Sequence, residues 1–143
     1  MPRLNAAARE LILSGALAHL VTVNRDGSPQ VSVIWVGLDG EELVSGHLDP
    51  RQLKMRNMGR DPRVALSFEA PSVNSVGMRE NLILHARVRL TEGGAAALLS
   101  RLAQTYVGPG TEFPPFPDPP PGVVAHFSIT KISGMGDWVA PGG

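Results

Sequence analysis

The chain has 143 residues, 43% of them apolar, with 13 basic residues against 13 acidic ones and no cysteine. A chain of this size supports one hydrophobic core, hence a single domain over residues 1–143. Charge balance gives no pull toward nucleic acid or an anionic membrane, and the missing cysteines exclude disulfides, thiolate metal sites and a cysteine nucleophile.

The opening segment, MPRLNAAARELILSGA, interrupts its short apolar runs with Arg9 and Glu10. It is too polar for a secretion signal or a membrane span, so a cytoplasmic protein is expected. Asn5 is placed to cap a short amphipathic helix reaching about Ser14, with Ala8, Leu11 and Ile12 on one face and Gly15 ending it. Residues 17–24 alternate toward the turn signal Asp26-Gly27. Residues 30–38 alternate toward a second one, Asp39-Gly40, and 41–46 runs back. Together they predict a three-stranded antiparallel meander, the start of a small sandwich or barrel.

Pro50 suits a first helical position, and the helix after it is expected to reach about Gly59. It sets Arg51, Lys54, Arg56 and Arg60 around one short element of a chain with no net charge. Such a cluster beside a sheet suits a phosphate-bearing ligand; a solvated helix face explains the same residues, and the pattern alone does not separate the two. Strands follow at 63–69, 82–90 and 122–132, with an Ala- and Leu-rich helix over 93–106. The segment VGPGTEFPPFPDPPPG can be neither helix nor central strand. Phe113 and Phe116 give it apolar anchors, which predicts an ordered loop lying over another surface.

His19, His47, His85 and His126 are scattered, with no metal-ligand spacing, no HExxH and no Ser-His-Asp pattern. A GxGxxG strand-to-helix fingerprint is also missing, which argues against direct nicotinamide binding. No acid, base or nucleophile constellation of these kinds is therefore present in the sequence. Gly46 permits close approach of a planar ring or a phosphate, and His47 ends the same strand as either a ligand contact or a structural group.

The order of the segments carries a resemblance. A strand, DGSPQVSVIWV, DG, a second strand, a basic RxxK segment, NM and RDPRVAL are followed by NLILHARVRLTEGG and VVAHFSITKISGMGDWV. From about Ala16 onward this resembles the flavin and deazaflavin split-barrel proteins. These include pyridoxamine 5'-phosphate oxidase and the actinobacterial reductases that use coenzyme F-420, and the similarity is closest to the latter. The resemblance implies a mainly β (α+β) fold with short helices, an antiparallel split β-barrel forming a homodimer.

The resemblance also implies a site. Val31, Ser32 and Val33 fall where the family lays the ring against strand backbone, with Ser45, Gly46 and His47 on the neighbouring strand. Arg51, Lys54, Arg56 and Asn57 surround the phosphate, Lys54 standing three residues before Asn57 as in the family. Two residues before Lys54 the family has Arg where this chain has Gln52. Arg51 lies one residue earlier, and the loop HLDPRQ is a residue longer than in close deazaflavin relatives. Trp138 is either a packing anchor or a border of the partner's ring pocket. Arg60 and Arg79 are spare cations for an acidic cofactor tail.

The implied activity is hydride transfer from reduced F-420 to an unsaturated small molecule. An FMN-dependent oxidase or reductase and a non-catalytic F-420 carrier are the alternatives. The implied partners are a small-molecule substrate and a second copy, which would cover the apolar residues 31–35 and the Phe113 to Phe116 loop. Neither nucleic acid nor a membrane is implied.

Overall fold

The element boundaries follow from caps and turns that neighbouring residues close. In this structure, a computed structural model that describes residues 2–139, α1 (Ala6–Leu13) starts at Asn5, whose side-chain oxygen accepts from the Ala8 N–H at 2.9 Å. Its buried residues are Ala8, Leu11 and Ile12, the face the spacing predicts. β1 (Ala18–Val23) and β2 (Pro29–Ile34) pair as a hairpin, in which the Gly27 N–H donates to the Asn24 carbonyl at 2.8 Å. β3 (Gly37–Asp39) and β4 (Glu42–His47) make the second hairpin across Asp39-Gly40. Then come α2 (Leu53–Arg60), β5 (Arg63–Val73), β6 (Arg79–Glu92), α3 (Ala95–Tyr106) and β7 (Val123–Met135).

The predicted meander does not form. The strands build one antiparallel sheet in the order β2-β1-β5-β6-β7-β4-β3, so the two hairpins end up at opposite edges. The single strand expected over 30–38 breaks at Trp35 and Val36. Tyr106 of α3 holds the break. Its hydroxyl receives the Val36 N–H at 3.1 Å and lies 3.0 Å from the Ala16 carbonyl, to which it donates. Trp35 stacks on the Tyr106 ring, centroids 5.3 Å apart and planes 8° from parallel. Three Cα steps from Ile34 to Gly37 span at most about 11 Å. The two sheet edges must therefore lie close together, and the sheet is rolled. β2 and β3 nevertheless do not pair, so the barrel is split rather than closed.

Inside the roll, Leu20, Leu66, Phe68, Leu82, Leu84 and Phe127 have no exposed surface and sit on the inward-facing positions of their strands. At about 1.5–3 kcal/mol each, burying such side chains is the main force that rolls the sheet. Ile12 of α1 and Met55 and Met58 of α2 complete the core. α3 lies against β4 and β3 on the other side, where side chains would not fit. A Cβ on Gly46 would stand 2.9 Å from the Ala95 carbonyl, and one on Gly37 2.9 Å from the Leu102 side chain. No described helix is long and apolar enough to cross a membrane.

Two further segments bear on the site. α2 starts at Leu53 rather than near Pro50, because the Asp49 carboxylate accepts the Arg51 N–H at 2.9 Å and holds 49–52 as a turn. The proline-rich segment is an ordered loop, as expected. Gln104 of α3 bonds the Thr111 carbonyl and the Gly110 N–H at 2.9 and 2.8 Å. The Phe113 ring packs on Trp35 at 5.2 Å. Phe116 stays 47% exposed.

The crossover makes a direct prediction. Tyr106→Phe leaves the buried Val36 N–H without its acceptor while keeping the ring stack, and should cost about 1–3 kcal/mol. A urea unfolding midpoint lowered accordingly, with an unchanged m-value, is the expected outcome. An unchanged midpoint would mean that packing alone holds the crossover.

Candidate functional site

Rolling the sheet brings the end of β2, the end of β4, the start of α2, α3 and the proline-rich loop around one cleft of about 320 Å3. Its apolar walls are Val33, Ile34, Trp35, Leu48, Leu99 and Phe113, and its polar groups are His47, Asp49, Gln52 and Lys54. The volume is at the small end of the range for small-molecule sites.

Charge in the cleft reduces to one group. Lys54 is half-buried, burial lowers its pKa, and among the described residues it has no carboxylate partner. Asp49 does not supply one, because the Arg51 guanidinium bonds it at 3.0 Å, and that pairing holds the Asp49 carboxyl below its usual range. His47 is buried, which pushes its pKa down to about 4, with Lys54 contributing further. At neutral pH the cleft therefore presents a neutral imidazole and one ammonium that has lost part of its hydration. An anionic group on a ligand would restore what that ammonium lacks.

Alternation along β4 puts Leu43, Ser45 and His47 on the core side and Val44 and Gly46 toward α3. The Ser45 Oγ lies 2.7 Å from His47 Nε2. This is not a nucleophile and its base. Ser45 has no exposed surface, and an imidazole with so low a pKa is a weak base at neutral pH. No set of three or more His, Cys, Asp or Glu side chains among the described residues is arranged to hold a metal ion.

The expected site residues do not all meet here. Val33, Gly46, His47 and Lys54 line the cleft, with Ser45 directly behind His47. The space beside Gly46 is filled by α3, so the close approach this glycine permits is to that helix. Val31 and Val33 face outward, 60% and 52% exposed, on edge strand β2. Ser32 faces inward, and its hydroxyl is buried without a partner. Among the described residues β2 pairs only with β1, so its other edge carries backbone groups without a strand partner there.

Arg51 is exposed and paired with Asp49. Arg56 lies on the far side of α2, in a second cleft of about 770 Å3 that Arg25 and Arg60 also line. Asn57 is fully buried, its amide N–H groups donating to Thr22 at 3.0 Å and Asn24 at 2.9 Å, which ties α2 to β1. Trp138 packs against the core, and its indole N–H donates to the Asn81 carbonyl at 2.8 Å, in a third cleft beside α1. Arg79 bonds the Ala70 carbonyl, outside the first two clefts.

Sequence reasoning missed Trp35, Leu48, Leu99 and Phe113 as cleft walls, since four separate parts of the chain contribute them. It also missed the Asp49–Arg51 pair, which the Asp-Pro-Arg spacing does signal.

The residues fit a flat ring carrying an acidic arm. The observation behind that fit is a half-buried ammonium without a counter-charge at the polar side of an apolar cleft.

Comparison with known proteins bears on the fold and the family. No curated protein sequence matches the chain. Among solved structures, an F-420 reductase is 31% identical, with a TM-score of 0.72 over 87% of this chain and 94% of that one. A conserved hypothetical protein from Mycobacterium tuberculosis is 20% identical, with a TM-score of 0.73 over 92% and 83%. An FMN-binding protein from Syntrophomonas wolfei is 14% identical, with a TM-score of 0.65 over 90% and 84%. The last two speak to the fold alone. The sequence profile of pyridoxamine 5'-phosphate oxidase matches residues 4–135, nearly the whole described chain. The fold is thus that of a known family: the chain belongs to the pyridoxamine 5'-phosphate oxidase family.

Proposed function

We propose that this protein is an oxidoreductase that binds coenzyme F-420 in the His47–Lys54 cleft and reduces an unsaturated small-molecule acceptor. The observation that carries the reading is Lys54, half-buried and without a counter-charge beside apolar walls. The 31% identity to an F-420 reductase over most of both chains supports it. When bound, the deazaflavin supplies the hydride.

The chain's own residues do the rest. Lys54 holds the phosphate by a charge-assisted hydrogen bond, with Gln52 beside it as a neutral donor. Val33 and the free backbone edge of β2 form the shelf for the ring. Trp35, Leu99 and Phe113 keep water from the apolar side of the cleft, which strengthens every polar contact inside it. Arg51 joins the phosphate only by leaving Asp49, and Asn57 anchors the helix that carries Lys54.

The second cleft bears on which cofactor binds. Arg25, Arg56 and Arg60, against the one carboxylate of Asp26, suit an acidic tail continuing past α2, which F-420 carries and FMN lacks. FMN would use the same Lys54, so an FMN-dependent oxidase or reductase is the second reading. Val31 and Val33 lie exposed on an edge strand, and Phe116 is exposed on the loop; a second copy of the chain would cover such surfaces by a two-fold contact.

Three outcomes test the reading. In titrations side by side, F-420 should bind at least about tenfold more tightly than FMN, a gap of about 1.4 kcal/mol. Equal or tighter FMN binding transfers the reading to FMN. Lys54→Ala should weaken cofactor binding by about ten- to a hundredfold, the worth of one hydrogen bond to a charged group, and leave the unfolding midpoint nearly unchanged. Normal binding by that variant would show that the basic helix is only a solvated face. Light scattering should give a particle of about 30 kDa, twice the 15.2 kDa chain. A monomer with full cofactor affinity rules out a pocket shared between subunits.

A further inference from the structure

Ser45 is placed where a buried hydroxyl leaves little choice. It has no exposed surface, and its Oγ has one hydrogen-bond partner among the described residues, His47 Nε2 at 2.7 Å. Two arrangements share that distance. Either Nε2–H donates to Oγ, or the hydroxyl donates to an unprotonated Nε2. In the first, the Ser45 O–H has no acceptor, and a buried unpaired donor costs about 1–3 kcal/mol. In the second it is satisfied. The second ring nitrogen completes the argument. Among the described residues His47 Nδ1 has no hydrogen-bond partner, yet it is not among the buried atoms lacking one, and His47 lines the cleft. Nδ1 is therefore not sealed in the core, and the open space that His47 lines is the cleft.

We propose that Ser45 is a positioning residue: its hydroxyl donates to Nε2 and fixes the neutral His47 imidazole in the tautomer with the proton on Nδ1. The cleft wall then presents an N–H donor beside the Lys54 ammonium and the Gln52 amide.

The consequence concerns the ligand. Donors side by side at His47 and Lys54 favour a bound group that presents acceptors there, such as a ring carbonyl or an oxyanion, over one that presents N–H or O–H at that point. The low pKa of His47, set by burial and by Lys54, agrees in that the imidazole stays neutral through the neutral range. The tautomer stands on the protein alone. Its use toward a ring carbonyl rests on the cofactor reading above.

The experiment separates the two. The protein labelled with nitrogen-15 in its four histidines is examined without ligand by long-range nitrogen–proton correlation at neutral pH, with His47 assigned from a His47→Gln variant. The expected result is one neutral tautomer for His47, protonated on Nδ1. Ser45→Ala should release it to a mixture or to the Nε2-protonated form, and Ser45→Thr, which keeps the hydroxyl, should restore it. A His47 protonated on Nε2, or a tautomer indifferent to Ser45→Ala, overturns the proposal.

The same samples are then titrated with F-420 and with FMN. Ser45→Ala should weaken the ligand that binds by about three- to tenfold, the worth of one neutral hydrogen bond, with Ser45→Thr close to the wild type. If the tautomer is as expected but neither molecule binds, the cofactor reading fails while the Ser45–His47 assignment holds.

Discussion

The structure depends on one interrupted strand. Had residues 30–38 run on as a single strand, the two hairpins would lie side by side and the sheet would have two distant edges. The hydroxyl of Tyr106 instead takes the Val36 N–H that a continuous strand would have given to a neighbour. The stacked Trp35 and Tyr106 rings then occupy the turn. Because only Trp35 and Val36 separate the two edge strands, the sheet has to roll, and the edges meet near each other without pairing. Every wall of the His47–Lys54 cleft follows from that, since β2, β4 and the proline-rich loop reach it only in the rolled arrangement. A single hydrogen bond of about 1 kcal/mol does not roll a sheet. It decides where the roll opens, and burial of the strand interiors supplies the force.

The electrostatics of the site follow from which cations are already engaged. Arg51 spends its charge on Asp49, Arg63 on Asp61 and Arg89 on Glu42, each on the surface. Exposed pairs of this kind are worth about 0–1 kcal/mol, so they do little for stability. They do remove charges from competition. What is left at the cleft is Lys54, whose ammonium is partly desolvated and uncompensated, beside an imidazole that burial keeps neutral. A free surface lysine gains little from meeting an anion, because water already solvates both. A half-buried one gains more, since part of the desolvation has been suffered before the ligand arrives.

Much of the local structure was legible in the residue order. Asn5 as a cap, the Asp26-Gly27 and Asp39-Gly40 turns, the Ala- and Leu-rich helix and the proline-rich loop all stand where short-range rules put them. The helix over 50–59 was legible in kind but not in onset, because Asp49 captures the Arg51 N–H and delays its first turn. At the site, the i, i+2 spacing of Ser45 and His47 already placed both on one face of a strand. Their 2.7 Å contact is the side-chain counterpart of that spacing.

What the residue order determined by itself was most of the elements, the two hairpins and the cation-rich helix, because each rests on residues within about a dozen positions of one another, and the family resemblance, because it rests on the order of those segments along the chain. What only the tertiary structure decided was which strands stand at the sheet edges, which of four cations faces the cleft, and that Asn57 is spent on holding α2 to β1. The physical reason is the same in each case. Partner choice between Val36 and Tyr106, 70 positions apart, or between Asn57 and Thr22, 35 apart, is settled by burial and by the need to satisfy buried polar groups. Neither quantity exists until the chain has packed.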